Sequence, residues 1–250
     1  MSKSKNDEFY NLKPILELKC QYNLIIGERS NGKTYSVLEL MIDNWYNKGE
    51  QGAYIRRWKE DFKGKRAIQL FAGHVTTGAI SRITNDEWNN VKYESGKWYL
   101  CKKDEENNEI TKQDEPFCFA FALSDMEHDK SLAYPLVTTI AFDEFLTRSY
   151  YLPDEFIIFM NVLSTIIRRR NNVTIYMMAN TVNKYAPYFK EMGLKHVSEM
   201  EQGKIDVYTY GDSPLKVAVE YCKPTAKDSK QSNIYFAFEN PSLAMITGGA

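Results

Sequence analysis

Short apolar runs, each bounded by glycine, charge or turn residues, recur along the chain. Tyr22–Ile26 (YNLII) is the first, continuous as expected of a strand buried on both faces. From Lys33 to Tyr46 the apolar positions return at helical spacing instead, with Val37, Leu40, Met41 and Trp45 on one face, and Gly49 and Gly52 end that helix. Ala53–Arg57 reads as a second strand. Lys97–Cys101 and Phe117–Leu123 read as strands on either side of a charged turn, which predicts a hairpin. Leu136–Phe142 and Val173–Ala179 are strands of the buried type, with a helix between them that opens at Pro153-Asp154 and runs to about Arg170. Ile205–Tyr210, Leu215–Tyr221 and Ile234–Phe238 predict short strands. Residues 1–13 are polar and expected to be loose, and 60–96 carry no assignable period.

Strands alternating with helices in the middle of the chain imply an α/β fold, with a central, mainly parallel sheet flanked by crossover helices. Residues 1–200 are expected to form one domain. Residues 201–250 are expected to add strands and a linker, with Lys223–Ser232 (KPTAKDSKQS) as the linker candidate, leading toward a C-terminal domain outside this chain.

Composition narrows the class. The 250 residues carry 32 basic and 33 acidic side chains, a net charge of −1, so the subunit as a whole does not attract nucleic acid, and any such contact must come from local basic clusters or an assembly. Cys20, Cys101, Cys118 and Cys222 show no C-x-x-C spacing, and the three histidines are scattered, which argues against zinc and for a reducing compartment. No uncharged apolar run reaches the roughly 18 residues of a membrane helix, and a cytosolic protein without membrane contact is expected.

The strand YNLII leads directly into Gly27-Glu28-Arg29-Ser30-Asn31-Gly32-Lys33-Thr34, which matches G-x-x-x-x-G-K-[ST]. The glycines let successive backbone N–H groups face phosphate oxygens, the lysine reaches the β/γ oxygens, and the threonine hydroxyl holds Mg²⁺. The helix that begins at Lys33 adds its positive dipole end. A strand before and a helix after satisfy the context this motif needs. A second acid source is expected at the end of a neighbouring buried strand, and Thr138–Phe145 (TTIAFDEF) supplies Asp143 as metal ligand and Glu144 as general base for an attacking water. An acid base on the metal strand points to a P-loop NTPase of the additional-strand catalytic-glutamate (RecA/FtsK-like) type. Asn183-Lys184-Tyr185-Ala186 lacks the aspartate of an N-K-x-D guanine reader, so ATP is favoured over GTP.

Asn180 ends the VTIYMMA strand and reads either as a γ-phosphate sensor or as a turn residue. Arg168, Arg169 and Arg170 end the helix after the metal strand. Some 16 helical residues carry them roughly 24 Å from their own phosphate site. Either they compensate the helix dipole, or one of them acts on a neighbouring subunit in trans. Arg29, Arg56, Arg57, Lys59 and Lys130 are candidates for an interface, and Arg29 also for phosphate, although such side chains are more often simply solvated charges.

The order GERSNGKT, AYIRRWKEDF, KSLAYPLVTTIAFDEF and LSTIIRRRNNVTIYMMANTVNKYAPYF resembles the viral genome-packaging ATPases, the encapsidation proteins of small short-tailed bacteriophages with protein-primed linear DNA. The resemblance spans about residues 20–190. It implies metal-strand acids at Asp143 and Glu144, a trans arginine finger at Arg168, a cradle arginine at Arg29, a lysine at Lys130, and post-strand basic residues at Arg56, Arg57 and Lys59. It further implies a Mg²⁺-dependent ATP hydrolase in a homo-oligomeric ring, commonly a pentamer. Such a ring docks on the portal of a viral procapsid in the host cytoplasm and drives double-stranded DNA inward. The residues alone also allow a phosphotransferase acting on a small acceptor, or a non-catalytic nucleotide-dependent portal adaptor. DNA-facing loops are expected within 59–82 and 97–116.

Overall fold

The computed structural model describes residues 10–104, 110–125, 132–147, 149–180 and 186–223. Lys130, the 183–185 part of the guanine-reader test, the linker from 224 and the strand expected at 234–238 lie outside the described residues. In chain order the elements are α1 (Lys13–Glu17), β1 (Tyr22–Gly27), α2 (Lys33–Lys48), β2 (Gln51–Arg56), α3 (Lys65–Gln69), α4 (Ala72–Thr76), α5 (Ala79–Ile83), β3 (Asn90–Glu94), β4 (Lys97–Lys103), β5 (Ile110–Lys112), β6 (Cys118–Ala122), β7 (Val137–Asp143), α6 (Glu155–Ile167), β8 (Thr174–Asn180), α7 (Pro187–Glu191), β9 (Lys204–Tyr210) and β10 (Ser213–Tyr221). They form two compact units. The first draws on residues 1–36, 144–151 and 175–250, the second on 37–143 and 152–174.

In the first unit β1 lies parallel between β8 and β10, and β9 closes the edge antiparallel to β10. Buried on both faces, β1 needs no polar alternation, which is why its sequence is a continuous apolar run. Leu24 and Ile25 are fully buried there, as are Met177 and Met178 of β8. β9, at the edge, alternates between half-buried and exposed positions. The strands beyond residue 200 are thus part of the sheet that carries the glycine loop: Tyr22 pairs with Val217 and Ile26 with Tyr221.

The second unit is built on β7, β2 and β6, all parallel, with β4 antiparallel to β6 and both β3 and β5 antiparallel to β4. The hairpin expected between 97–101 and 117–123 is a correction: those strands do pair, at Lys97–Phe119 and Trp98–Cys118, but β4 forms its own ladders with β3 and β5. The segment without a period, 60–96, folds as three five-residue helices and β3 around one fully buried indole. Trp98 packs edge-on against Tyr54, Phe62 and Phe71 and donates from Nε1 to the Ala67 carbonyl at 2.9 Å. The α2 stripe is also shifted by phase: Val37, Leu38, Met41 and Ile42 are buried, whereas Leu40 and Trp45 are only half-buried. Met41 fixes that phase, because its side chain fills the space a Cβ would need at Gly52, with Sδ at 2.7 Å. α6 buries Phe159, Val162, Leu163 and Ile166, and Phe159 stacks at 4.9 Å on Phe142 of β7.

Candidate nucleotide site and its acidic partner

β1 delivers the chain into the glycine loop, and pairing with its neighbours fixes the loop's base. Gly27 lies abreast of Asn180, the last residue of β8. On the other side the Cys222 N–H donates to the Ile26 carbonyl at 2.8 Å, so a Cβ on Gly27 would stand 2.8 Å from the Cys222 Cβ and 3.1 Å from Asn31 Nδ2. Only glycine fits there. Ser30 (φ 59°) and Gly32 (φ 93°) turn the backbone through the left-handed region. The Asn31 carboxamide then accepts the Lys33 N–H at 3.2 Å, an Asx turn that starts α2, and Ser36 N–H to Gly32 C=O at 2.9 Å opens the helical ladder.

The loop closes around its own lysine. The buried Lys33 ammonium has four oxygens within hydrogen-bond reach: Glu28 C=O at 2.6 Å, Asn31 Oδ1 at 3.1 Å, Gly27 C=O at 3.3 Å and Asn180 Oδ1 at 3.4 Å. The cage shows that the lysine, the loop and Asn180 share one locus. It also means that an anion entering here must draw the ammonium off these carbonyls. Arg29 and Ser30 are exposed at the loop's tip, while Thr34 is half-buried.

Of the segment expected to be loose, residues 1–9 lie outside the described residues, and Tyr10 holds this loop. Tyr10 donates its N–H to the Asn31 carbonyl at 2.8 Å, accepts from Ser36 Oγ at 3.0 Å, and sends its hydroxyl to Glu220 of β10 at 2.5 Å. Burial lifts the Glu220 carboxyl above the ordinary range, and the Tyr10 hydrogen bond opposes that rise. No local sequence signal marks Tyr10 for this role.

Glu144 belongs to the same unit. Its left-handed backbone (φ 57°) exposes its side chain between the buried Asp143 and Phe145, and the Phe145 N–H reaches the Met178 carbonyl of β8 at 3.3 Å. Glu144 therefore follows the edge of β8 two residues before Asn180.

Asp143 ends β7 in the second unit. Its Oδ2 accepts from the Tyr54 hydroxyl at 2.7 Å and lies 3.5 Å from Arg56 Nη1. Burial, reinforced by the Asp143 charge, raises the Tyr54 phenol well above its usual range, so it remains a donor across physiological pH. Arg56 also places Nε 3.2 Å from Asp61, whose other oxygen is 3.7 Å from Arg66. A cleft of about 410 Å³ opens over this network, walled by Tyr54, Phe62, Gln69 and Trp98. Among the described residues no three His, Cys, Asp or Glu side chains cluster as a metal cage. The Asp143 carboxylate is a hard oxygen donor, and one carboxylate completed by substrate phosphates is the usual set for Mg²⁺. A cation already facing Asp143, the Arg56 guanidinium, is in keeping with that fit.

Like Arg56, two further interface candidates find their partners within the second unit. Arg57 grips Glu155 at the start of α6 through Nε and Nη2 at 2.6 and 2.8 Å, both side chains almost fully buried, and Glu155 also accepts the Leu152 N–H at 2.8 Å. Lys59 pairs with Asp125 at 2.6 Å, largely in solvent. The three arginines after α6 divide. Arg170 caps the carbonyls of Tyr134, Ile166, Ile167 and Val137, and Arg168 donates to Leu132 C=O at 2.6 Å. Arg168 (φ 40°) and Arg169 (φ 66°) are both left-handed and exposed. Of these anchors Val137 opens β7, while Tyr134 and Leu132 lie in the segment before it. Six residue steps of strand, about 20 Å, separate Val137 from Asp143.

Comparison with known proteins gives this architecture a context. The DNA packaging protein of Bacillus phage B103 is 30% identical over 182 residues, which is 69% of this chain and 48% of that protein. This chain thus spans about half the length of its curated relatives. The crystal structure of the N-terminal domain of the DNA packaging ATPase from bacteriophage phi29 superposes with a TM-score of 0.65 at 24% identity, covering 87% of this chain and 97% of that one. The large terminase ATPase domain of Thermus phage P74-26 shares the fold at 10% identity and a TM-score of 0.54, covering 95% and 91%. The fold is that of an α/β P-loop NTPase. The sequence pattern described as Podovirus DNA encapsidation protein (Gp16) matches residues 81–217, more than half of the chain, which therefore belongs to the podovirus Gp16 DNA encapsidation family.

Proposed function

We propose that this chain is the ATP-hydrolysing part of a ring-forming motor that drives double-stranded DNA into a viral procapsid. The observation that carries the reading is the convergence of Lys33, Asn180 and the Gly27–Thr34 backbone at one end of β1, in a member of the encapsidation family. The triphosphate takes the place of the loop carbonyls around the Lys33 ammonium, with the N–H groups of residues 28–34 completing the cradle. Thr34 and Asp143 hold Mg²⁺, which when bound offsets negative charge on the phosphate oxygens. Glu144 accepts the proton of a water whose oxygen bonds to the γ-phosphorus as the bond to the ADP oxygen breaks. Asn180 contacts the γ-phosphate.

Arg168 acts on the next subunit. Its anchoring to Leu132, in the segment that leads into the start of β7 while Asp143 ends that strand, supports action in trans rather than on its own site. The same anchoring suits helix capping, the role that Arg170 fills more completely. The assembly we propose is a homomeric ring, a pentamer, docked on the portal of the procapsid in the host cytoplasm. ATP is preferred because Ala186 stands where a guanine-reading aspartate would be needed.

Phosphate release from ATP, measured against protein concentration with and without double-stranded DNA, tests this function. A rise in specific activity with concentration, increased by DNA, is expected. Activity independent of both would refute the motor, and stoichiometric phosphorylation of a small acceptor would make the chain a phosphotransferase.

A further inference from the structure

Arg56 stands between two carboxylates, 3.5 Å from Asp143 and 3.2 Å from Asp61, with all three side chains less than one-fifth exposed. Tyr54 holds the same Asp143 oxygen at 2.7 Å from the buried side. A Mg²⁺–oxygen bond is about 2.1 Å long and brings a full hydration or phosphate shell. A divalent ion bound to Asp143 would therefore place two cations side by side, and they repel strongly at that range. One of them has to yield. Asp61 gives the guanidinium somewhere to go without losing a partner.

We propose that Arg56 is a displaceable counter-ion of Asp143: it occupies the carboxylate when metal is absent and retires onto Asp61 when metal binds, while Tyr54 keeps the carboxylate aimed. This rests on the reading of Asp143 as the metal ligand. Arg56 and Asp61 are positioning residues that set the metal affinity through Asp143, and neither touches the substrate. The exchange also ties the metal to the 59–69 segment. Asp61 sits in its first turn, Arg66 lies 3.7 Å from Asp61 on the far side, and Lys63 and Lys65 are exposed beside it.

The test is Mn²⁺ binding to the full chain, followed by electron paramagnetic resonance with a saturating non-hydrolysable ATP analogue. An ion pair of this exposure sets the scale at about fivefold. Arg56→Gln is expected to tighten Mn²⁺ by about that factor, and Arg56→Lys, which keeps the charge, to stay near wild type. Asp61→Asn is expected to weaken Mn²⁺, because Arg56 then has no second partner, and Asp61→Asn/Arg56→Gln should return to the affinity of Arg56→Gln alone. Unchanged or weaker binding in Arg56→Gln overturns the proposal, as does equal weakening in Arg56→Gln and Arg56→Lys, the mark of simple structural damage. Asp143→Asn separates the two levels. If it abolishes Mn²⁺ binding while Arg56→Gln does nothing, the counter-ion idea alone falls; if it leaves binding intact, Asp143 is not the ligand and both fall.

Discussion

Replacing Arg57 by methionine removes one half of an ion pair that water barely reaches. The Arg57 and Glu155 side chains are 6% and 3% exposed, and two hydrogen bonds of 2.6 and 2.8 Å join them. Glu155 would lose both guanidinium contacts and keep the Leu152 N–H. The cost is less the lost attraction than the carboxylate left buried and unpaired, which is worth about 3–5 kcal/mol. Set against the roughly 5–15 kcal/mol that holds a typical domain, this is a large fraction. The helix it anchors lacks a side-chain N-cap: Asp154, the residue before α6, is left-handed (φ 51°) and makes no side-chain cap. Glu155 in the first turn of α6 also gains from the helix dipole, a smaller term of about 0.3–1 kcal/mol.

The assay is built into the sequence. All four tryptophans, Trp45, Trp58, Trp88 and Trp98, lie within residues 37–143, the unit that contains the pair. Tryptophan emission during urea unfolding therefore reports the unit in question. Arg57→Met should lower its stability by about 3 kcal/mol or more. Arg57→Met/Glu155→Gln should recover more than half of that, since the amide still accepts from Leu152 N–H and leaves no buried charge. A loss below about 1 kcal/mol in the single variant, the range of exposed pairs, would refute the buried-charge argument and return Arg57 to the surface.

Glu144→Gln should retain ATP binding while hydrolysis falls about 100-fold or more, the scale of a lost general base; an unchanged rate removes Glu144 from the chemistry. Mixing inactive Arg168→Ala with inactive Glu144→Gln subunits should restore part of the hydrolysis at mixed interfaces, and a mixed assembly without rescue would exclude trans action. Gly27→Ala should lower the melting temperature by several degrees, because its Cβ meets Cys222 Cβ at 2.8 Å on a strand tied by a backbone hydrogen bond, an overpacking cost of about 1–3 kcal/mol; wild-type melting would contradict the close packing. Glu220 is raised by burial, so the folded chain binds more protons than the unfolded one between the ordinary and the raised value. Its contribution to stability is complete below the ordinary carboxylate range and declines as pH rises through the raised value. Glu220→Gln should flatten that decline in melting temperature as pH rises above the ordinary carboxylate range, and an unaltered slope would acquit Glu220.

What could be read from the sequence follows from the range of the interactions involved. β1, β7 and β8 are continuous apolar runs because parallel strands covered on both faces need no polar alternation, and the glycine loop is legible because its chemistry is packed into eight consecutive residues. The 60–96 segment is opaque because five-residue helices are too short to display a period, and the Trp98 indole that packs on Phe71 and bonds the Ala67 carbonyl lies 31 positions beyond that carbonyl. The Tyr10–Glu220 bond spans 210 positions and the Tyr54–Asp143 bond 89, so no window of local pattern contains either.

The three consecutive arginines sharpen the point. Residue type cannot distinguish Arg168, Arg169 and Arg170, and their shared place at a helix end suggests one shared role. Backbone conformation separates them. The chain leaves α6 through two left-handed residues, Arg168 and Arg169, a conformation unfavourable for any side chain with a Cβ, and Arg170 then turns back to bond four carbonyls. Four carbonyl partners commit Arg170 to the fold; replacing it should weaken the junction of α6 with the start of β7 rather than catalysis. Its neighbours lie in the strained turn on the outside of the same junction. A triplet that looks redundant thus divides its work: Arg170 bonds four carbonyls, Arg168 bonds that of Leu132, and Arg169 stands exposed between them.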